Sequence, residues 1–439
     1  MKKIIFIIFS LLITKYVESK ESLFNLDNSC DIVATIDSSR TIGLNLSKEI
    51  YNDILKNKPD NYQITLPFFG SEINLFLENF SVYEDNINII SSTASGDKVL
   101  SIKPNILSYK LILDEEEIGV FVFVNNSIKA TFNIRDKQYE ITKYNGRYIL
   151  FEATNSINKS NFSCAVSDET TNHFPHSSSQ LPSTPVCVEL AVDIDYYTRQ
   201  TFSSDQDATD WAAAIIAGVS QVYESETNAA IQLSHIYIWN TIDPYSVFTG
   251  QPSSMLSELR NYWSSNSPTP NNSTDLVHLM TKRTNTGTGG IAYVDVLCDY
   301  GTGNDFGYGF SANLTNDTTF NFPNPTYSWN LSVVSHEIGH NFGAKHTHWC
   351  GWLADPALGF NPPGGSGVID NCVSVEGSCP NNISSQVGTI MSYCHTNGSV
   401  IIDFHPIVVS QKLDPGIANA SCLTTCDYYG CTDTAAFNY

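Results

Sequence analysis

The sequence predicts an α/β (α+β) chain, in which a mixed, twisted sheet and a histidine-bearing helix follow a β-rich N-terminal domain. Three observations predict it. From residue 186 onward strand and helix patterns alternate: Val186 to Val192, Ile231 to Trp239 and Leu276 to Met280 read as strands, Thr209 to Tyr223 and Ser254 to Trp263 as helices. Residues from about 20 to 160 carry mainly β-type runs. Between the two, Ser167 to Pro185 is rich in Ser, Thr, Pro and His without an apolar period and reads as an exposed linker.

A chain of 439 residues is long enough for two or three domains and a sizeable core. Met1-Lys2-Lys3 followed by the apolar run Ile4 to Ile13, with Val17-Glu18-Ser19 at a cleavage position, reads as a signal peptide over 1–19, too short for a stable membrane anchor. No other stretch is apolar enough to span a bilayer, so an extracellular, secreted protein is expected, with no membrane span once the signal is removed. A net charge of −22 with only 23 Lys and Arg excludes a basic patch and argues against nucleic acid as a partner. N-x-S/T sequons at Asn45, Asn79, Asn158, Asn161, Asn272, Asn313, Asn316, Asn330, Asn382, Asn397 and Asn419 would make it a glycoprotein in a eukaryotic host.

In chain order, Ser47 to Lys56 reads as the one helix of the N-terminal domain. Leu100-Ser101-Ile102 and Phe132-Asn133-Ile134 show partial period-two alternation, Ile118 to Val124 is a nearly continuous β-branched and aromatic run, and Asn145-Gly146 marks a hairpin turn. No catalytic constellation occurs here. The domain and linker are expected to cover 20–182, followed by a unit over 183–424 and a short Cys-containing tail over 425–439. In that unit Trp211, Ile215, Val219 and Val222 form one helical stripe. Gly290 to Leu297 reads as a fourth strand, an edge on which an extended peptide could pair.

Eleven cysteines are unevenly placed: Cys30 and Cys164 in the first part, then Cys187, Cys298, Cys350, Cys372, Cys379, Cys394, Cys422, Cys426 and Cys431. With an export signal the second set reads as disulfides.

The chemistry is carried by His336-Glu337-Ile338-Gly339-His340-Asn341-Phe342-Gly343-Ala344-Lys345-His346. On a helix, residues four apart differ by about 40° of rotation, so His336 and His340 leave one face and can share a Zn²⁺ ion. Glu337 lies about 100° round from His336, where it can reach water at the metal rather than the metal itself. Gly343 can take a positive φ, end the helix and turn the chain so that His346 supplies a third imidazole. Asn330 or Ser332 are the expected caps at the helix start. Gly388-Thr389-Ile390-Met391-Ser392-Tyr393-Cys394 follows downstream.

With both stretches in view, the sequence resembles the metzincin zinc endopeptidases, and among them the reprolysin (adamalysin-like, M12B-type) family, especially secreted microbial members. The resemblance is strong over roughly 186–424 and includes His346-Thr347-His348, Cys350, Ile369-Asp370-Asn371-Cys372, Glu376-Gly377-Ser378-Cys379 and Gly388 to His395. It implies one catalytic Zn²⁺ on His336, His340 and His346, with Glu337 as general base and Met391 as a methionine turn beneath the metal. Tyr393 would be an extra zinc contact, an oxyanion donor or a packed aromatic. Polypeptides would be the substrates. Structural Ca²⁺ is not indicated. The preferred bridges on this resemblance are Cys298–Cys422, Cys350–Cys394 and Cys372–Cys379.

The lone Cys164 before the linker resembles an inhibitory thiol that fills the open zinc position and keeps a zymogen latent; the alternative is a disulfide with Cys30 or Cys187. Thr347 departs from the family, where Asp often follows the third histidine, which leaves pappalysin-, astacin- and serralysin-like metzincins open. A catalytically inactive secreted binding module on the same fold would be expected to have lost Glu337 or a ligand histidine.

Overall fold

The computed structural model describes residues 22–28, 40–144, 146–153, 163–166, 185–266, 268, 274–299, 305–316, 327–379, 387–396 and 399–426. The signal stretch, Cys30, nearly all of the linker and the chain beyond residue 426, including Cys431, lie outside them.

The N-terminal region contains strands β1 (Phe24–Leu26) and β2 (Thr41–Leu46), helix α1 (Lys48–Asn57), and strands β3 (Asn61–Phe68), β4 (Ser71–Phe80), β5 (Tyr83–Ser92), β6 (Lys98–Leu100), β7 (Ile106–Leu113), β8 (Glu116–Val124), β9 (Ser127–Ile134), β10 (Lys137–Tyr144) and β11 (Arg147–Glu152). The hairpin at Gly146 forms as expected, with Tyr144 opposite Arg147. Nine of these strands make an antiparallel sheet in the order β1-β2-β11-β10-β9-β8-β7-β4-β3. Ser47 caps α1, whose Ile50, Tyr51 and Ile54 pack into the core under that sheet.

The second sheet begins with β12 (Val186–Ile194). It is followed by a turn, α2 (Tyr196–Arg199), the long helix α3 (Asp205–Glu226), β13 (Ala229–Trp239), α4 (Pro252–Asn266), β14 (Leu276–Met280), β15 (Gly290–Ala292), β16 (Tyr308–Ser311) and helix α5 (Tyr327–Asn341). Its order is β15-β16-β14-β12-β13-β5-β6. Strands β16, β14, β12, β13 and β5 run parallel, while β15 and β6 are antiparallel at the two ends. The expected division near residue 182 therefore does not separate the sheets, because residues 83–100 contribute β5 and β6 beyond β13. At the other end, Thr425 pairs with Val186 and Cys426 bonds Cys187.

The two regions also share a core, which explains the apolar run in β8. Phe121 and Phe123 point into the N-terminal core, whereas Val120, Val122 and Val124 join the core around α3. A strand buried on both faces loses the period-two alternation of a half-exposed one. Helix α3 follows the same logic: it is buried all round from Ala208 to Tyr223, not along one stripe, because the second sheet, β8 and α5 cover it on different sides.

Two expectations at the ends of α5 are corrected. Its N-terminus is not capped by Asn330 or Ser332. The helix begins at Tyr327, and the carboxylate of Glu140 on β10 accepts from the Tyr327 and Ser328 amides at 3.3 and 3.1 Å. Asn330 lies within the helix and bonds both the N–H and C=O of Thr315, so its buried side chain has no room for a glycan. The strand expected over Gly290 to Leu297 stops at Ala292. Its remainder caps the other end of α5, where the Asp295 and Val296 amides donate to the His340 and Asn341 carbonyls at 2.9 Å.

The disulfides also differ from expectation. Cys298–Cys422 forms, but Cys350 pairs with Cys379 and Cys372 with Cys394, in place of Cys350–Cys394 and Cys372–Cys379, and Cys187–Cys426 is added. Spacing alone does not select among the connectivities. The observed pairings follow the backbone, since the Cys350 amide donates to the Glu376 carbonyl and draws the 376–379 loop alongside Cys350. No helix among the described residues is long and apolar enough to cross a membrane.

Replacing Glu140 with Ala should lower stability by about 1–3 kcal/mol, because two buried amides lose their acceptor; Glu140→Gln, which keeps one, should cost less, as read by thermal unfolding. Burial raises the Asp403 carboxyl to about 6, against a hydrogen bond from Asn133 that lowers it. Its folded-state pKa thus lies above the unfolded one, and protonation favours the fold. Relative to Asp403→Asn, the wild type should therefore lose up to about 3 kcal/mol between pH 4 and pH 6 and stay level above, measured by denaturant titration across pH.

Candidate metal centre

Helix α5 brings His336 and His340 to one face, and Gly343, at φ +101°, turns the chain back so that His346 approaches them from outside the helix. The turn itself is hydrogen-bonded, with the Gly343 amide donating to the His340 carbonyl at 2.9 Å and the Ala344 amide to that of Gly339 at 2.9 Å. All three imidazoles are buried, and with Cys164 they place one ligand atom each within 4.8 Å of one another.

Each ring is aimed by its Nδ1. His336 Nδ1 is 2.7 Å from the Ile390 carbonyl and His340 Nδ1 2.9 Å from the Ala344 carbonyl. His346 Nδ1 lies 3.1 and 3.3 Å from the two carboxylate oxygens of Glu376. With Nδ1 engaged on every ring, Nε2 is the atom left to face the shared point. Burial holds His336 and His340 well below the usual imidazole range, as neutral donors. Three imidazoles and one thiol in a buried cluster fit the donor chemistry of Zn²⁺.

Around this cluster stand the other residues singled out from sequence. Glu337 is fully buried, its Oε2 3.5 Å from Cys164 Sγ, and burial pushes its carboxyl well above the ordinary range. Met391 is buried in the turn that bears on His336 and His346: its neighbour Ile390 accepts from His336, and its own carbonyl accepts from Thr347 N and Oγ1 at 3.0 and 3.2 Å. Tyr393 Oη accepts from the Cys164 amide at 2.7 Å, lies 3.1 Å from the Cys164 carbonyl and is 3.3 Å from His346 Nε2. Among the described residues Cys164 takes part in none of the four disulfides; its Sγ is 3.5 Å from His340 Nε2. The segment carrying it lies along β15, with the Gly289 amide donating to Ser163 and the Ala165 amide to Gly290 at 2.9 and 3.0 Å, in parallel register.

The structure thus gathers His336, Glu337, His340, His346, Met391, Tyr393 and Cys164 at one place, while His348 lies outside the four-donor group, stacked on His346 and 3.4 Å from Glu376. Glu376 itself is reached from sequence only as part of a cysteine-flanked stretch, since nothing in its spacing marks it as a partner of His346.

Residues 184–402 match the sequence model of Reprolysin_5, metallo-peptidase family M12. No curated protein matches the sequence. Among solved structures, the chain is similar to metalloproteinase-II from Bacteroides fragilis, at 12% identity and a TM-score of 0.41 over 68% of this chain and 85% of that one. It is also similar to a chain in a chaperone-substrate complex, at 13% identity and a TM-score of 0.30 over 67% and 40%. Both scores fall below the level at which a common fold is established. The match over 184–402 covers the histidine cluster, β12 to α5 and the Met391 turn together, and that segment belongs to the reprolysin-like metzincins of metallopeptidase family M12, which makes this chain a zinc metalloendopeptidase.

Proposed function

We propose that the chain is a secreted, latent endopeptidase in which His336, His340 and His346 hold zinc, Glu337 serves as general base and acid, and Cys164 keeps the uncut precursor inactive. The observation that carries this reading is the meeting of the Cys164 thiol with three imidazoles, beside the carboxylate of Glu337. Zn²⁺ bound there supplies a Lewis acid that polarises the scissile carbonyl and acidifies water.

Glu337 takes the proton of the attacking water and passes it to the leaving amine. Tyr393, once parted from Cys164, has its hydroxyl beside His346, in reach of the oxyanion that develops on the carbonyl. Met391 and Thr347 do no chemistry; their mutual hydrogen bonds set the floor on which His336 and His346 are aimed.

Latency has two supports. The thiol stands among the imidazoles, where it would take the position water needs. The backbone of Ser163 to Ala165 covers the β15 edge, to which an extended peptide would otherwise add as a strand. The four disulfides among the described residues accord with an oxidising, extracellular compartment, and the signal stretch would deliver the chain there.

Glu337→Ala should retain one zinc per chain and lose casein cleavage by roughly 10²- to 10⁴-fold after the N-terminal segment is removed. A wild type that binds zinc, has lost that segment and cleaves no peptide would overturn the enzyme mechanism. Cys164→Ala should raise the activity of the uncut precursor, measured on a fluorogenic peptide, and unchanged latency would remove the thiol's role. Treatment with a chelator should abolish cleavage by the activated enzyme, and added zinc should restore it.

A further inference from the structure

We infer that Glu376 is the positioning residue of the third imidazole: it fixes the tautomer and direction of His346 from a loop that Cys350–Cys379 fastens beside the site. This rests on the zinc reading above and goes beyond it.

The three histidines are not equally constrained. His336 and His340 stand on α5 and point their Nδ1 atoms at backbone carbonyls that α5 and the Met391 turn hold in place. His346 stands off the helix, past Gly343, and its Nδ1 meets a side chain 30 residues further on. That side chain reaches both ways, since Glu376 Oε1 is 3.1 Å from His346 Nδ1 and 3.4 Å from His348 Nε2. The two rings stack with centroids 4.9 Å apart and planes 6° from parallel. Glu376 thus sits at the edge of a pair of stacked imidazoles and holds both.

The backbone repeats the arrangement. The Glu376 amide donates to the His348 carbonyl and the Cys350 amide to the Glu376 carbonyl, each at 2.9 Å. Cys350–Cys379 then closes the loop three residues past the carboxylate. Thr347, the residue directly after His346, cannot do this work, because its hydroxyl and amide are turned to the Met391 carbonyl. A carboxylate accepting from the remote N–H of a ligand imidazole fixes its tautomer and raises the basicity of the nitrogen that faces the metal. His348 holds Glu376 in turn, which accounts for a second buried histidine beside the site that contributes nothing to the four-donor cluster.

The test uses the full-length chain with its disulfides intact. Zinc affinity is measured by competition with a chromogenic chelator for wild type, Glu376→Gln and Glu376→Ala, together with zinc stoichiometry and the melting temperature of each protein with and without metal. Wild type should bind one zinc. Glu376→Ala should bind it roughly 10- to 100-fold more weakly, and Glu376→Gln, which keeps an acceptor for the Nδ1 proton without the charge, should fall between. The metal-free melting temperatures should agree closely while the zinc-induced rise shrinks in Glu376→Ala. A merely structural role would instead lower both melting temperatures together and leave zinc affinity unmoved, and that result overturns the inference. Two zinc ions per wild-type chain, falling to one in Glu376→Ala, would overturn it as well, by making Glu376 and His348 ligands of a second ion. If wild type takes up no zinc at all, the reading of the site itself fails; one tightly held zinc in wild type and in Glu376→Ala alike sinks the positioning role alone.

Discussion

Three imidazole rings meet at one point only if each is steered from behind, and the hydrogen bonds to their Nδ1 atoms do that steering. The Ile390 carbonyl holds His336, the Ala344 carbonyl holds His340 and the Glu376 carboxylate holds His346. Much of the chain beyond α5 is arranged around these three acceptors. The Met391 turn carries one of them and is tied to Thr347 beside the third ring. The Cys350–Cys379 loop carries another, and Cys372–Cys394 joins its neighbourhood to the end of the Met391 turn. A long segment with little regular secondary structure thereby becomes a frame whose positions are fixed by covalent links and backbone hydrogen bonds.

The opposite side of α5 depends on the N-terminal region in the same way. Glu140 satisfies amides that begin the helix, Asn133 donates to Asp403 at 2.7 Å, and Val120, Val122 and Val124 of β8 enter the core that α3 shares with α5. The segment carrying Cys164 meets the imidazoles from elsewhere, bonded to β15 and to Tyr393.

The sequence carried the site more fully than its surroundings. Helical geometry placed His336, His340 and Glu337, and the positive φ required at Gly343 placed His346, because these are constraints between residues close in the chain. Leu276–Met280 forms as a strand with the expected bounds for the same reason. What was not legible involves partners far apart. The register of β5 against β13 depends on two strands separated by more than a hundred residues, and neither pattern names the other. The Glu140 cap lies nearly two hundred residues before the amides it meets. The cysteine pairing turned on which loop lies beside Cys350, a matter of tertiary backbone contacts rather than spacing. The short β15 reflects competition: residues after Ala292 serve the carbonyl end of α5 in preference to extending the edge.

The parallel pairing of β5 with β13 has a consequence for how the molecule is made. Most of the N-terminal sheet is built from hairpins between neighbouring strands, and such local contacts form early as a chain emerges. Strand β5 is threaded out of that sheet and must wait for β13, some 150 residues later, before its edge is covered. The last closures come later still, since Cys187 and Cys298 find their partners at Cys426 and Cys422. The second sheet is therefore completed late, since β5 waits for β13 and β12 for Thr425 and Cys426.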